Sequence, residues 1–120
     1  ALGLDNGKLA DGYLRSDITR WDIDARAFEL TAERVLDEAK AGQGVGNASA
    51  MLKYYGTEVN KRRQELFVAL RGSDAMVWEG EAWNEGAVSR TWLRSKGNSI
   101  EGGTSEIQLN VIARNILGLQ

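Results

Sequence analysis

Leu14-Arg15-Ser16-Asp17-Ile18-Thr19-Arg20-Trp21-Asp22-Ile23-Asp24-Ala25-Arg26-Ala27-Phe28-Glu29-Leu30-Thr31-Ala32-Glu33-Arg34-Val35-Leu36-Asp37-Glu38-Ala39 decides the fold. Its apolar residues fall at Leu14, Ile18, Trp21, Ala25, Phe28, Ala32, Val35 and Ala39, in alternating steps of four and three. That spacing is the stripe of one helix seated against neighbours. A helix over 14–39 runs roughly 39 Å at 1.5 Å per residue. Ile23, Ala27 and Leu30 widen the apolar face beyond a single seam, which suits a bundle of several helices. Arg15, Arg20, Asp24, Arg34, Asp37 and Lys40 line the outer face and read as solvated charge.

Downstream, Gly42-Gln43-Gly44-Val45-Gly46 ends the helix, because glycine supplies the left-handed residue a helix C-terminus wants. Alternating glycines also invite a phosphate-loop reading, but a dinucleotide fingerprint follows a strand and here a helix comes first. Asn47 is placed as the N-cap of a second helix. Its apolar positions are Ala48, Met51, Leu52, Tyr55, Val59, Leu66, Phe67, Ala69 and Leu70, with Gly72 where a C-cap belongs. Lys61-Arg62-Arg63 could meet nucleic acid or a phosphate. Glu58 and Glu65 flank the cluster and favour a solvated or subunit-facing surface. Tyr54-Tyr55-Gly56 reads as packing.

Residues 73–83 hold Met76, Val77, Trp78 and Trp83 and read as a turn or short helix with aromatic anchors. Residues 84–95 form a third, shorter helix burying Ala87, Val88, Trp92 and Leu93. Residues 96–104 break it, and a last helix spans about 105–117. Ser105 with Gln108 fits the capping-box pattern. Ile107, Leu109, Val111, Ile112, Ala113, Ile116 and Leu117 make this helix apolar nearly all round, so it is expected to lie between neighbours or between subunits.

The chain of 120 residues is one domain by length, 1–120, and large enough to bury a core. Period-two alternation is absent, so the fold class is an all-α, up-and-down four-helix bundle. There is no Cys and no His, which excludes disulfides, thiol nucleophiles, imidazole bases and ordinary zinc sites. Acid–base chemistry would fall to Asp, Glu, Lys or Tyr. A net charge of −2 argues against a nucleic-acid partner. No apolar run reaches the ~20 residues of a membrane span, and no signal peptide opens the chain, so the expected location is cytoplasmic. The first residue is Ala1 rather than Met, which fits a piece of something longer.

Ser99-Ile100-Glu101-Gly102-Gly103-Thr104-Ser105-Glu106-Ile107-Gln108 carries the chemistry. Gly102 and Gly103 allow positive φ and close backbone approach. The amides of Thr104, Ser105 and Glu106 open a helix, and unpaired amides there suit an anion or a polarised carbonyl. The plainer reading is a capped turn and nothing more. This run, with Trp92-Leu93-Arg94-Ser95 before it and Val111-Ile112-Ala113-Arg114 and Ile116-Leu117-Gly118-Leu119 after it, resembles the C-terminal end of the acyl-CoA dehydrogenase family.

The resemblance implies a flavoprotein that oxidises the Cα–Cβ bond of an acyl-CoA thioester, with FAD as hydride acceptor and a carboxylate base. It implies reoxidation by an electron-transfer flavoprotein, and homo- or hetero-oligomers formed through this bundle. It places Thr104 and Glu106 against FAD and Gly103 near the thioester. It also implies that an N-terminal helical domain, a middle β domain and a first bundle helix lie outside these residues, so that the fragment alone is inactive. Many members carry the catalytic Glu just before the Gly-Thr pair; here that position is Gly102, and Glu101 is displaced by one residue. A Gln-x-x-Gly-Gly loop that touches flavin across the dimer in the family would align with Ala69-Leu70-Arg71-Gly72-Ser73, where Ala69 replaces Gln and Ser73 the second Gly. The alternative is a non-catalytic bundle subunit or interaction module that serves assembly alone.

Overall fold

Asp11 starts the first helix by accepting a hydrogen bond from the Leu14 amide at 2.9 Å. The computed structural model describes residues 4–44, 46–80, 84 and 86–119. Helix α1 spans Gly12–Lys40, and α2 spans Ala48–Arg71. Helix α3 spans Ala87–Ser95, and α4 spans Ser105–Val111, continuing through a wider π turn over Ile112–Ile116. Short 3-10 turns cover Gly72–Met76 and Lys96–Ser99. The fold is therefore all-α, with four helices among the described residues.

The glycine stops fall where they were expected. Gly42, Gly44 and Gly46 take positive φ between α1 and α2, and Gly72 closes α2 at φ +58°. Val45 and Trp83 lie outside the described residues. An unforeseen feature precedes α1. Strands β1 (Leu4–Asp5) and β2 (Lys8–Leu9) pair antiparallel around Asn6-Gly7. Both turn residues have positive φ, +49° and +75°, the geometry for which Asn-Gly is the strongest hairpin signal.

Helix α2 is the central strut. Helix α1 runs antiparallel along one side of it. Trp21 Nε1 donates to the Val59 carbonyl at 2.8 Å. Arg62 pairs with Asp24 at 2.7 Å. The Phe28 and Tyr55 rings stack at 6.3 Å. Tyr55 is thus packing, as its sequence context suggested.

On the other side, α3, the glycine turn and α4 follow one another along α2. Ser89 donates to the Ala75 carbonyl near the C-terminal end of α2. Lys96 meets Glu65, Asn60 donates to Asn98, and Lys53 donates to the Gly103 carbonyl. Finally, Asn47 Nδ2 reaches the Asn115 carbonyl at 3.4 Å. The break at residues 96–104 shifts the chain along α2 without reversing it, which periodicity alone does not reveal.

Several local expectations are corrected. Asn47 sits at the N-cap of α2 but makes no side-chain cap; its amide is drawn to Asn115 instead. Thr104, not Ser105, caps α4, accepting from the Ile107 amide at 3.2 Å. Gln108 does not close a capping box with Ser105; its side chain returns to the Gly102 carbonyl at 3.1 Å. Helix α3 buries Ser89 and Ser95, whereas Leu93 is exposed. Met76 is exposed too, and Trp78 is covered on one face by Arg90, whose guanidinium lies 4.0 Å from the ring centroid.

The buried apolar core is small: Leu14, Val35, Ala50, Val59 and Ala75 among the described residues. Ile23, Leu30 and Leu36 on α1 stay exposed, as do Ile107, Leu109, Ile116 and Leu117 on the last helical segment. The chain exposes 8273 Å². A compact monomer of this size would expose about 6,400 Å². Its radius of gyration is 17.9 Å, against about 13.6 Å for a compact domain. The stripes predict helix faces correctly, but one chain holds too few neighbours to cover them.

Candidate functional site

The site is built on the turn between α3 and α4. Gly102 has φ +61° and Gly103 φ +97°, so both positions need glycine's conformational freedom. Gln108 reaches back from α4 to hold the Gly102 carbonyl. From the other side, half-buried Lys53 of α2 donates to the Gly103 carbonyl at 2.6 Å. A Cβ on Gly103 would lie 2.5 Å from Gln108 Nε2, whereas one on Gly102 would meet open space.

With both carbonyls engaged, the turn's donors are left over. The amides of Gly103, Thr104, Ser105 and Glu106 have no backbone acceptor among the described residues. Such donors at the start of a helix suit anionic or carbonyl oxygens. Thr104 Oγ1 accepts from Ile107 and keeps its own proton for a further bond. Ser105 is buried and donates to Glu58 at 3.3 Å, which Lys61 also holds at 3.3 Å. The turn therefore rests on α2 through Lys53 and Ser105.

Glu101 points into a different set of contacts. It pairs with Arg94 and accepts from Asn98 at 3.5 Å. The Arg94 hydrogen bond holds its carboxyl below the usual glutamate range, and Asn98 and the Lys53 charge act in the same direction. An ionised carboxylate held by a guanidinium is a poor proton acceptor near neutral pH. The same pair contributes stability above the ordinary glutamate pKa that is lost as pH falls through the depressed folded value. Glu101→Gln should therefore lower the neutral part of a melting temperature–pH curve slightly and leave its acid end, where the parent's carboxyl is protonated, nearly unchanged, so that the acid limb flattens. An acid limb identical to the parent's would count against the pairing.

Lys53, Gly56, Thr57, Asn60, Asn98, Glu101 and Gly102 line an open polar depression of about 430 Å³ beside the turn. A larger apolar groove, about 630 Å³, lies along α1 and is lined by Trp21, Ala25, Phe28, Ala32 and Leu36. We take the turn itself as the candidate site because it carries the free amides; the depression borders it at Gly102 on the α2 side, and the groove is a helix face without a neighbour. Among the described residues no group of three or more acidic side chains could hold a metal. No helix there is long and apolar enough to cross a membrane. The basic cluster is engaged locally: Lys61 with Glu58, Arg62 with Asp24, and Arg63 over the Phe67 ring.

The model of the acyl-CoA dehydrogenase C-terminal domain matches residues 5–117, nearly the whole chain. The chain belongs to that family. Comparison with curated proteins and with solved structures returns no match. In this acyl-CoA dehydrogenase domain Thr104, Glu106 and Gly103, the residues singled out in the sequence, stand together on the turn. Residues 69–73 do not join them. Arg71, within that segment, and Lys53 are 18 residues apart on α2, or about 27 Å along its axis. Ala69 and Ser73 are exposed there, so a ligand at the turn of one chain does not reach the 69–73 segment of the same chain.

Sequence reading missed Lys53 and the Arg94–Glu101 pair. A signal for Lys53 was present: it is a lone charge between Met51-Leu52 and Tyr54-Tyr55. A long cation inside an apolar run commonly seeks a carbonyl or carboxylate.

Proposed function

We propose that this chain is the FAD-proximal and oligomerising bundle of a flavoprotein that oxidises the Cα–Cβ bond of an acyl-CoA thioester. The observation that carries the reading is the row of amides without a backbone acceptor at residues 103–106, held in the stretch on which the sequence resemblance rests. Their donor set fits the oxygens of a flavin cofactor, and nothing among the described side chains fills the space outside Gly102. In this reading the Thr104 and Glu106 amides hold FAD, and Gly103 lies near the thioester. FAD, when bound, supplies the hydride acceptor for Cβ.

The chain's own residues bind and orient. They do not remove the α proton. Gly102, at the position where many relatives carry a base, has no side chain, and Glu101 is engaged by Arg94. The base then comes from outside residues 1–120, as do most contacts to FAD and acyl-CoA, so the isolated fragment is inactive. An electron-transfer flavoprotein reoxidises the cofactor, and the reaction takes place in the cytoplasm. The exposed apolar residues of α1 and the last helical segment support burial against further helices or subunits.

The test is the visible spectrum of the protein expressed from its complete reading frame. Flavin absorbance with acyl-CoA-dependent bleaching is expected. A colourless protein that still assembles would favour the second reading, a non-catalytic assembly subunit, for which Gly102 is the specific observation. In the active protein, Glu101→Gln should keep turnover within a few-fold. A loss of ~10⁴-fold with flavin content unchanged would make Glu101 the base.

A further inference from the structure

Lys53 does more than fasten α2 to its neighbour. Its ammonium takes the carbonyl of Gly103, one half of the peptide that joins Gly103 to Thr104. A peptide unit is planar and trans, so its N–H points opposite to its C=O. Fixing the Gly103 oxygen toward α2 therefore aims the Thr104 amide away from α2. Gln108 does the same for the preceding peptide, holding the Gly102 oxygen toward α4 and turning the Gly103 amide away from Gln108. The two clasps act on a segment whose φ values, +61° and +97°, only glycine tolerates easily. Left untied, two adjacent glycines would sample many orientations. The clasp from Lys53 is charge-assisted and half-buried, which puts it among the stronger hydrogen bonds.

We propose that Lys53 is a positioning residue for the flavin: it orients the Gly103–Thr104 peptide so that the Thr104 amide is presented to the cofactor. This deepens the flavin-facing reading above and rests on it. Lys53 itself does not touch FAD in this account; it acts through the peptide.

The test uses the complete protein and three variants. Lys53→Met keeps the stem and removes the donor. Lys53→Arg keeps a charged donor. Lys53→Gln keeps a neutral donor one atom short of the carbonyl, and it replaces Lys53→Met if that variant fails to fold. FAD is removed and titrated back, and the dissociation constant and the position of the flavin absorbance bands are read. Hydrogen exchange of the peptide covering residues 101–106, whose free amides gain an acceptor only when flavin binds, is measured at saturating FAD. Loss of a hydrogen bond to a charged donor predicts FAD binding weakened about 10-fold or more in Lys53→Met. The flavin bands should shift, the 101–106 amides should exchange faster, and far-UV circular dichroism should be unchanged. Lys53→Arg should recover most of the affinity.

If Lys53→Met binds FAD like the parent, with the same bands, the proposal is overturned and the flavin reading stands. If the parent complete protein neither carries nor binds FAD, both fall. Unequal loss with restored binding in Lys53→Arg upholds it. Equal loss in Lys53→Met and Lys53→Arg, with slow exchange at 101–106 in both, overturns it as well, since the damage then lies elsewhere on α2.

Discussion

Gly103→Val is expected to be among the most damaging single substitutions in the chain. Gly103 sits at φ +97°, outside even the left-handed helical region that other residues visit at a cost of about 1–2 kcal/mol. Its new Cβ would lie 2.5 Å from Gln108 Nε2, so Gln108 must leave the Gly102 carbonyl. The lost hydrogen bond adds about 1 kcal/mol. A total of about 3 kcal/mol is expected in urea unfolding, together with loss of bound flavin from the complete protein. Gly102→Ala is the matched control. Its φ of +61° is strained too, but its Cβ would meet nothing within 4 Å. It should cost about 1 kcal/mol. Equal costs at the two positions would mean that the Gln108 contact does not shape the turn.

Trp21→Ala should rival it, through packing rather than strain. Trp21 lies at the joint of α1 and α2, lines the α1 groove, and ties the helices through its indole hydrogen bond to Val59. Truncating a large aromatic side chain costs about 3 kcal/mol or more. The nearby Arg62–Asp24 pair is partly solvated, and such pairs contribute about 1 kcal/mol or less. Urea unfolding followed by far-UV circular dichroism should therefore rank Trp21→Ala far above Arg62→Ala. Trp21→Phe, which removes the donor and keeps most of the ring packing, should fall between them. A reversed order would place the joint's stability in charge rather than burial.

Periodicity and glycine position made most of the fold legible. The alternating apolar steps from Leu14 to Ala39 lie inside α1, and Gly42 and Gly72 mark the ends of α1 and α2. Both signals are local, because a helix repeats its own geometry and glycine alone enters positive φ freely. The turn was legible as well, since Gly102-Gly103-Thr104 needs no distant partner to be read. The caps were less legible. Thr104 and Ser105 are equally good capping residues by type. Thr104 is chosen because Ser105 is drawn into the interface with Glu58.

Sequence by itself therefore determined the helices, their stops, the glycine turn and the family to which the chain belongs. Each is written in short-range chemistry or in a contiguous motif. Tertiary structure decided what those pieces do to one another. It set α3 and α4 in line along α2, brought Lys53 to Gly103 across 50 residues, and engaged Glu101 with Arg94 beside the turn. It also separated residues 69–73 from the turn by most of the length of α2. The reason is physical. A helical stripe specifies that a face is to be covered, yet apolar burial is non-directional and does not say by what. Hydrogen bonds between distant side chains and backbone supply the direction, and they exist only once the chain has folded.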